Sequence, residues 1–403
     1  MGRPLPLHGL PPPATSVSSF ALFAKGFRPF FLLAAVSAAA LLPLWLLVLA
    51  GVVRPATHFD PVSWHAHEMV FGFTTAVIAG FLLTAVGNWT QRETATGASL
   101  GLLCVLWIAG RVAMSTSVLR PGAIAIVDLA FLPALAIVLA RPLIASNNRR
   151  NFVMLGVIAA LFATNVMTHL DALGGAPGWQ RRGVMVAIDV VVVLMLLIAG
   201  RVVPMFTRNA TKREDIRSLP KLDALAVGMM VVLTAMDAFM TPAPLVIGTV
   251  SAVAAVLAAA RAARWGSRHT LSQPLLWILH AGYFWIPIGL ALRAAGALEG
   301  GAYGLMATHA HTAGAIGLLT LGMMARVSLG HTGRALVASR PVAAAFVLIT
   351  SGAALRVVAP ILPGGHYLAI LAVAGGLWAT AFVVYAFAYT KILVAPRADG
   401  RAG

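Results

Sequence analysis

Two strings in this chain have the residue types and spacing to hold a metal: His65-Ala66-His67 and His309-Ala310-His311, each at the mouth of a long apolar run. Imidazole is a common ligand for haem iron and copper, and membranes seldom keep ionisable side chains without a functional reason. The chemistry to expect is metal ligation inside a bilayer. Residues two apart on a helix point about 200° away from each other, so one ring of each pair can face one centre while its neighbour faces another. The plainer alternative is that one member of each pair is an interfacial histidine in water.

The elements that must position these histidines follow from composition. Of 403 residues, 60% are hydrophobic and only 10% charged, against about 25% charged in ordinary soluble domains. The reading is an all-α polytopic membrane protein with about 12 transmembrane helices, embedded in the lipid bilayer. The apolar runs predict spans at Pro29 to Val53, His67 to Trp89, Ala98 to Met114, Gly122 to Ala140, Phe152 to Leu173 and Gly183 to Met205. The second half predicts Leu222 to Met240, Leu245 to Ala260, Ser272 to Ala294, Tyr303 to Ser328, Val342 to Ala359 and Tyr367 to Val394. Period-two alternation is missing, so strands are a poor alternative.

The net charge of +17 reads as an insertion signal rather than as nucleic-acid binding. With a cytoplasmic N-terminus, the outer loops keep only Arg54, Arg120, Arg181 and Arg182, and most other basic residues fall inside. Both termini are therefore expected to be cytoplasmic, in a bacterial inner membrane. Residues 1–25 read as a flexible N-terminal tail, 26–395 as the twelve-helix domain and 396–403 as a C-terminal tail. The Pro-rich start leads into a first run long enough to span, so a cleavable signal peptide is not expected.

Three further arginines, Arg111, Arg293 and Arg356, fall inside helix ends on the expected outer side. They can snorkel to the interface, or they can clamp an anion such as a haem propionate through the guanidinium fork. The histidines share that bias: His58 and His366 lie in outer loops, and His169 closes the fifth run. His280 lies nearer mid-membrane in the ninth, and His8, His269 and His331 fall inside. Asn165 and His169 stand one turn apart, so Asn165 could orient the imidazole; a helix–helix hydrogen bond is the simpler use. Asp128, Asp189 and Asp237 are expected to pair with helix-end arginines, with proton carriage as the alternative. Glu68 could support the first histidine pair or favour a helix N-terminus.

Absences narrow the chemistry. A single cysteine, Cys104, excludes an internal disulfide, a Cys-x-x-Cys-His haem attachment, an iron–sulfur cluster and a thiolate-bridged copper pair, so any haem should be non-covalent. Neither a phosphate-binding loop nor a dinucleotide fingerprint occurs. Ile108-Ala109-Gly110-Arg111-Val112 recurs as Ile198-Ala199-Gly200-Arg201-Val202, a weak sign of repetition, and the histidine pairs, eight spans apart, fit no simple halving.

Several strings carry a resemblance across nearly the whole chain. They are Phe27-Arg28-Pro29-Phe30-Phe31, Trp64-His65-Ala66-His67-Glu68-Met69-Val70-Phe71-Gly72 and Gly80-Phe81-Leu82-Leu83-Thr84-Ala85. Gly200-Arg201-Val202-Val203-Pro204-Met205-Phe206-Thr207, Gly314-Ala315-Ile316-Gly317 and Arg326-Val327-Ser328-Leu329-Gly330-His331-Thr332-Gly333-Arg334 add to it. Together they resemble the NnrS family of bacterial haem- and copper-containing membrane proteins. The resemblance implies a twelve-helix inner-membrane protein tied to nitrogen-oxide metabolism and protection against nitrosative stress. Where the family pattern reads His-Ala-Leu-Thr, this chain has His309-Ala310-His311-Thr312, so His309 is the better supported ligand. His331 belongs to a family-like string yet falls at the cytoplasmic end, where it suits a helix C-terminus or a separate metal.

The function expected is binding or transformation of nitric oxide, or another small nitrogen oxide, at a haem and copper centre, with electrons from an unidentified donor. The expected ligands are His65, His67 and His309, with His280, His311, His169 and His331 as further candidates and Arg111, Arg293 and Arg356 as anion clamps. Two alternatives stand beside it. One is a haem-copper-oxidase-like nitric oxide reductase, although the adjacent His-His of that copper site is missing here. The other is a secondary transporter for a metal or small anion.

Overall fold

A computed structural model of the chain describes residues 20–54 and 57–401. Among them are helices and loops with no strand. Twelve helices are long and apolar enough to cross a membrane: α1 (Phe27–Leu49), α2 (Pro61–Thr90), α3 (Gly97–Met114), α4 (Pro121–Ala145), α5 (Arg149–Ala172) and α6 (Trp179–Thr211). The others are α7 (Pro220–Phe239), α8 (Pro244–Ala262), α9 (Pro274–Glu299), α10 (Tyr303–His331), α11 (Arg340–Ile361) and α12 (Gly364–Val394). The protein is thus a multi-pass membrane protein, as its composition requires.

Sequential helices pack side by side, and α1 closes the arrangement against α12. Three helices occupy the centre. The most apolar windows of α2, α6 and α10 are 89%, 83% and 72% buried, while α1, at 17%, faces outward along most of its length. These central helices recur every fourth span, which accounts for histidine pairs that lie eight spans apart.

The first and last described segments share one face. Ala21 N–H donates to the Val394 carbonyl at 2.7 Å, and Gly97 N–H donates to the Phe23 carbonyl at 2.8 Å. Lys25 pairs with Glu93 at 2.6 Å. On the C-terminal side, Ala398 N–H donates to the Thr332 carbonyl at 2.9 Å, and Arg397 to the His331 carbonyl at the same distance. Most of the expected N-terminal tail, residues 1–19 with His8, lies outside the described residues, as do 402–403. The face bearing Ala21 and Val394 is called proximal below and the opposite one distal.

One boundary matters for the histidines. The apolar run predicts that α2 starts at His67, but the helix starts six residues earlier. Asp60 is its N-cap, accepting from Val62 and Ser63 N–H at 3.0 and 3.1 Å, and Pro61 fills the first helical position. His65 and His67 are therefore both helical, and their opposed directions are fixed by the backbone.

Candidate metal centre and its buried charge network

A widened turn begins beside the second histidine of each pair. In α2 the residues Glu68–Thr74 are π-helical, and in α10 the residues Ala310–Ile316 are. A π segment shifts the hydrogen-bond ladder by one residue, and such segments gather at functional sites. Side chains satisfy the displaced carbonyls. Trp107 Nε1–H donates to the Gly72 carbonyl at 3.1 Å, and Trp378 Nε1–H donates to that of Ala313 at 3.1 Å. Thr74 Oγ1 donates to Met69 at 2.8 Å, and Thr320 Oγ1 donates to Ile316 at 2.7 Å.

One histidine of each pair meets the other near the distal face. His65 and His309 lie within electrostatic reach of each other and of Arg356 from α11. The His65 ring stacks on Trp45 at 4.5 Å, with 7° between planes. His309 Nδ1–H donates to the Leu305 carbonyl at 2.9 Å, one turn back, which leaves Nε2 with an open lone pair. Arg356 lies within electrostatic reach of Tyr367, forms no ion pair with a carboxylate among the described residues, and has a buried Nη1 without a hydrogen-bond partner.

The second histidine of α2 points into a different place. His67 is fully buried in a network built from α2, α3, α4 and α5. Its Nδ1 is 3.2 Å from Glu68 Oε1, and its Nε2 is 2.9 Å from Asn165 Oδ1 and 3.3 Å from Asp128 Oδ2. His169 Nε2 approaches the same Asp128 Oδ2 at 3.1 Å, and Asn165 Nδ2 donates to it at 2.8 Å. Arg111 bridges the two carboxylates, donating to Glu68 Oε1 at 2.8 Å and, more closely, to Asp128 Oδ1. Small residues allow that approach: a Cβ on Gly72 would stand 2.8 Å from Arg111 Nη1, and one on Gly110 would stand 3.1 Å from Asp128 Oδ1. From the distal loop, His58 stacks on His169 at 5.6 Å, and Phe59 meets the edge of His67 at 5.2 Å. Burial beside His169 and His67 lowers the His58 pKa and favours its neutral form.

The remaining expected residues divide by position. Arg293 is held by Asp237 at 2.6 Å and Asp189 at 3.2 Å, as Arg111 is held by Glu68 and Asp128. The sequence offers three free arginines as anion clamps; two of them are engaged by carboxylates because each lies within reach of two acidic side chains on neighbouring helices. His311 is buried against α9, with Nε2 3.3 Å from the Ile286 carbonyl. His280 has both ring nitrogens engaged, with Thr207 Oγ1 and Ser267 Oγ at 2.9 Å, toward the proximal end of α9 and away from His309. His331 packs on Phe27 at 5.8 Å, also on the proximal side. His58, Trp45 and Tyr367 join the distal clusters without any spacing signal in the sequence.

His67, Asp128 and His169 form a group whose nearest donor atoms all lie within 4.8 Å of one another, all three residues buried. A search of curated proteins gave no match. The family model described as NnrS protein matches residues 21–397, which is nearly all of the chain. This protein belongs to the NnrS family.

Proposed function

We propose that this protein is a haem- and copper-type redox-metal protein of the bacterial inner membrane, with both termini cytoplasmic, that binds or transforms nitric oxide and so protects against nitrosative stress. Family membership supports the link to the nitric oxide response. The observation that carries the metal reading is the meeting of His65 and His309 beside Arg356.

The residues there fit a haem. His309 is held as the Nδ1–H tautomer by Leu305, the support that metal-bound imidazoles recurrently show, with Nε2 left for ligation. His65, steadied by Trp45, would supply a second imidazole. Arg356, with its orphaned Nη1, supplies the cation for a propionate. When bound, ferrous haem or copper would supply a metal that takes nitric oxide as a ligand. The chain contributes position and access. Nitric oxide is small and apolar enough to dissolve in the bilayer, so a centre set within the helices meets it there. His65 and His309 both lie in the α-helical turn that precedes a π segment, and Trp45 covers one face of His65.

The test is optical. Purified protein is expected to show a Soret band that shifts on anaerobic addition of nitric oxide; His65→Ala and His309→Ala should each abolish or shift it, and His331→Ala should leave it unchanged. Protein purified with haem supplied and still without a Soret band would sink this reading in favour of transport.

A further inference from the structure

His67 is flanked by oxygen on both sides: Glu68 Oε1 at Nδ1, and Asn165 Oδ1 and Asp128 Oδ2 at Nε2. A neutral imidazole carries one N–H, so one of these contacts sets a lone pair against a lone pair. Formal charge is unbalanced too, because Glu68 and Asp128, at most 1% exposed, oppose the single guanidinium of Arg111. Glu68 Oε2 is buried without a hydrogen-bond partner. Buried charge is stable only when paired, and a cation at Nε2 of His67 would remove the lone-pair contact and outweigh the one surplus negative charge.

We propose that His67, Asp128 and His169 bind a divalent first-row metal ion of the zinc or ferrous type, at a site separate from the one formed by His65 and His309. Asp128 Oδ2 stands 3.3 Å from His67 Nε2 and 3.1 Å from His169 Nε2. Ligands about 2.0–2.2 Å from a tetrahedral ion are roughly 3.3–3.6 Å from each other, so Asp128 Oδ2 stands near that spacing from each imidazole, and the three donor atoms all lie within 4.8 Å of one another. Asn165 Oδ1 is placed as a fourth donor. Arg111 engages the other oxygen of Asp128, Oδ1, so that Oδ2, which accepts one bond from Asn165 Nδ2, keeps a second lone pair for the ion. With the ion on Nε2, the proton of His67 sits on Nδ1 and is accepted by Glu68 Oε1, the carboxylate support common behind metal-bound histidine. Imidazole and carboxylate donors without sulfur select borderline divalent ions over cuprous copper. The ligands come from α2, α4 and α5, so the ion would tie three helices at the distal end.

The experiment uses the full-length protein in detergent, stripped with a chelator and titrated with zinc against a chromophoric competitor. One equivalent of tightly bound zinc is expected, and cobalt(II) in its place should give the visible bands of a low-coordinate site. His169→Gln keeps both partners of Arg111 and should weaken zinc binding at least tenfold without altering the haem spectrum. Asp128→Asn should weaken it as much, and His65→Ala should leave it unchanged. Stripped wild-type protein that binds no zinc, or a His169→Gln variant that binds it as tightly as wild type, would overturn the proposal in favour of a second proton on His67. A missing Soret band with zinc binding intact would instead defeat only the haem reading.

Discussion

The helices α2 and α10 are built alike and used differently. Each carries a His-Ala-His string, a π segment beginning beside its second histidine, a threonine returning to the backbone and a tryptophan from a neighbouring helix donating to a π-segment carbonyl. In both, the first histidine turns toward the shared distal site. The second histidines part company: His67 enters a cage of two carboxylates, an amide and a guanidinium, whereas His311 lies along α9 with one backbone carbonyl near Nε2. The backbone device sets where a ring points, and the neighbouring helices decide what chemistry it meets there.

The sharpest break in the comparison is electrostatic. Removing one partner of a buried ion pair typically costs about 3–5 kcal/mol, because the charge left behind is uncompensated. Arg111→Ala strands Glu68 and Asp128, both essentially inaccessible, while Arg293→Ala strands Asp189 and an Asp237 that keeps 22% of its surface. Arg111→Ala should therefore be the more destabilising, by the full amount of that range, with Arg293→Ala below it. Thermal unfolding in detergent, followed by tryptophan fluorescence, reads both. Equal losses would mean that water reaches the Asp128 network as readily as it reaches Asp237.

How much of this was readable beforehand varies by layer. Helix number and rough position follow from apolar runs because the bilayer imposes one length on every span, and the opposed directions within each His-x-His follow from helix geometry alone. The apolar run misses the start of α2 because Asp60 and Pro61 are polar punctuation outside the apolar window, and a cap is a signal in its own right. Which acid pairs with which arginine was less accessible still. Asp128 and Arg111 are 17 positions apart, but Arg293 is 104 from Asp189, and only packing brings them together. The π segments left no mark that a hydropathy window detects. Gly72 and Gly314 sit within them because Arg111 and the Trp285 ring occupy the space a side chain would need.

A second pair of changes separates the roles inside α10. His311→Leu replaces a ring of similar volume and loses only a long contact to Ile286, so about 1 kcal/mol or less of stability should go, with no change in the absorption spectrum. His309→Leu should be equally mild for stability and should remove the metal-linked spectrum. Paired unfolding and optical measurements on the two variants test this division. A spectral change in His311→Leu as large as in His309→Leu would show that the two rings serve one centre.

The smallest effect probes the indoles. Trp107→Phe and Trp378→Phe each keep an aromatic body and delete one N–H, leaving the carbonyl of Gly72 or Ala313 without its partner at a cost of about 1–3 kcal/mol. The two losses should be similar, since the bonds are alike in length and both indoles are buried. Their reach should differ. Trp107 also lies under the Arg111 guanidinium, 5.8 Å from its ring centroid, so its replacement loosens the residue that holds Glu68 and Asp128 together. Trp107→Phe is therefore expected to weaken zinc binding a few-fold where Trp378→Phe does not, even though unfolding barely distinguishes them. If both variants bind zinc alike, the π segment of α2 is a structural twin of that in α10 and the charge network keeps its geometry without the indole beside it.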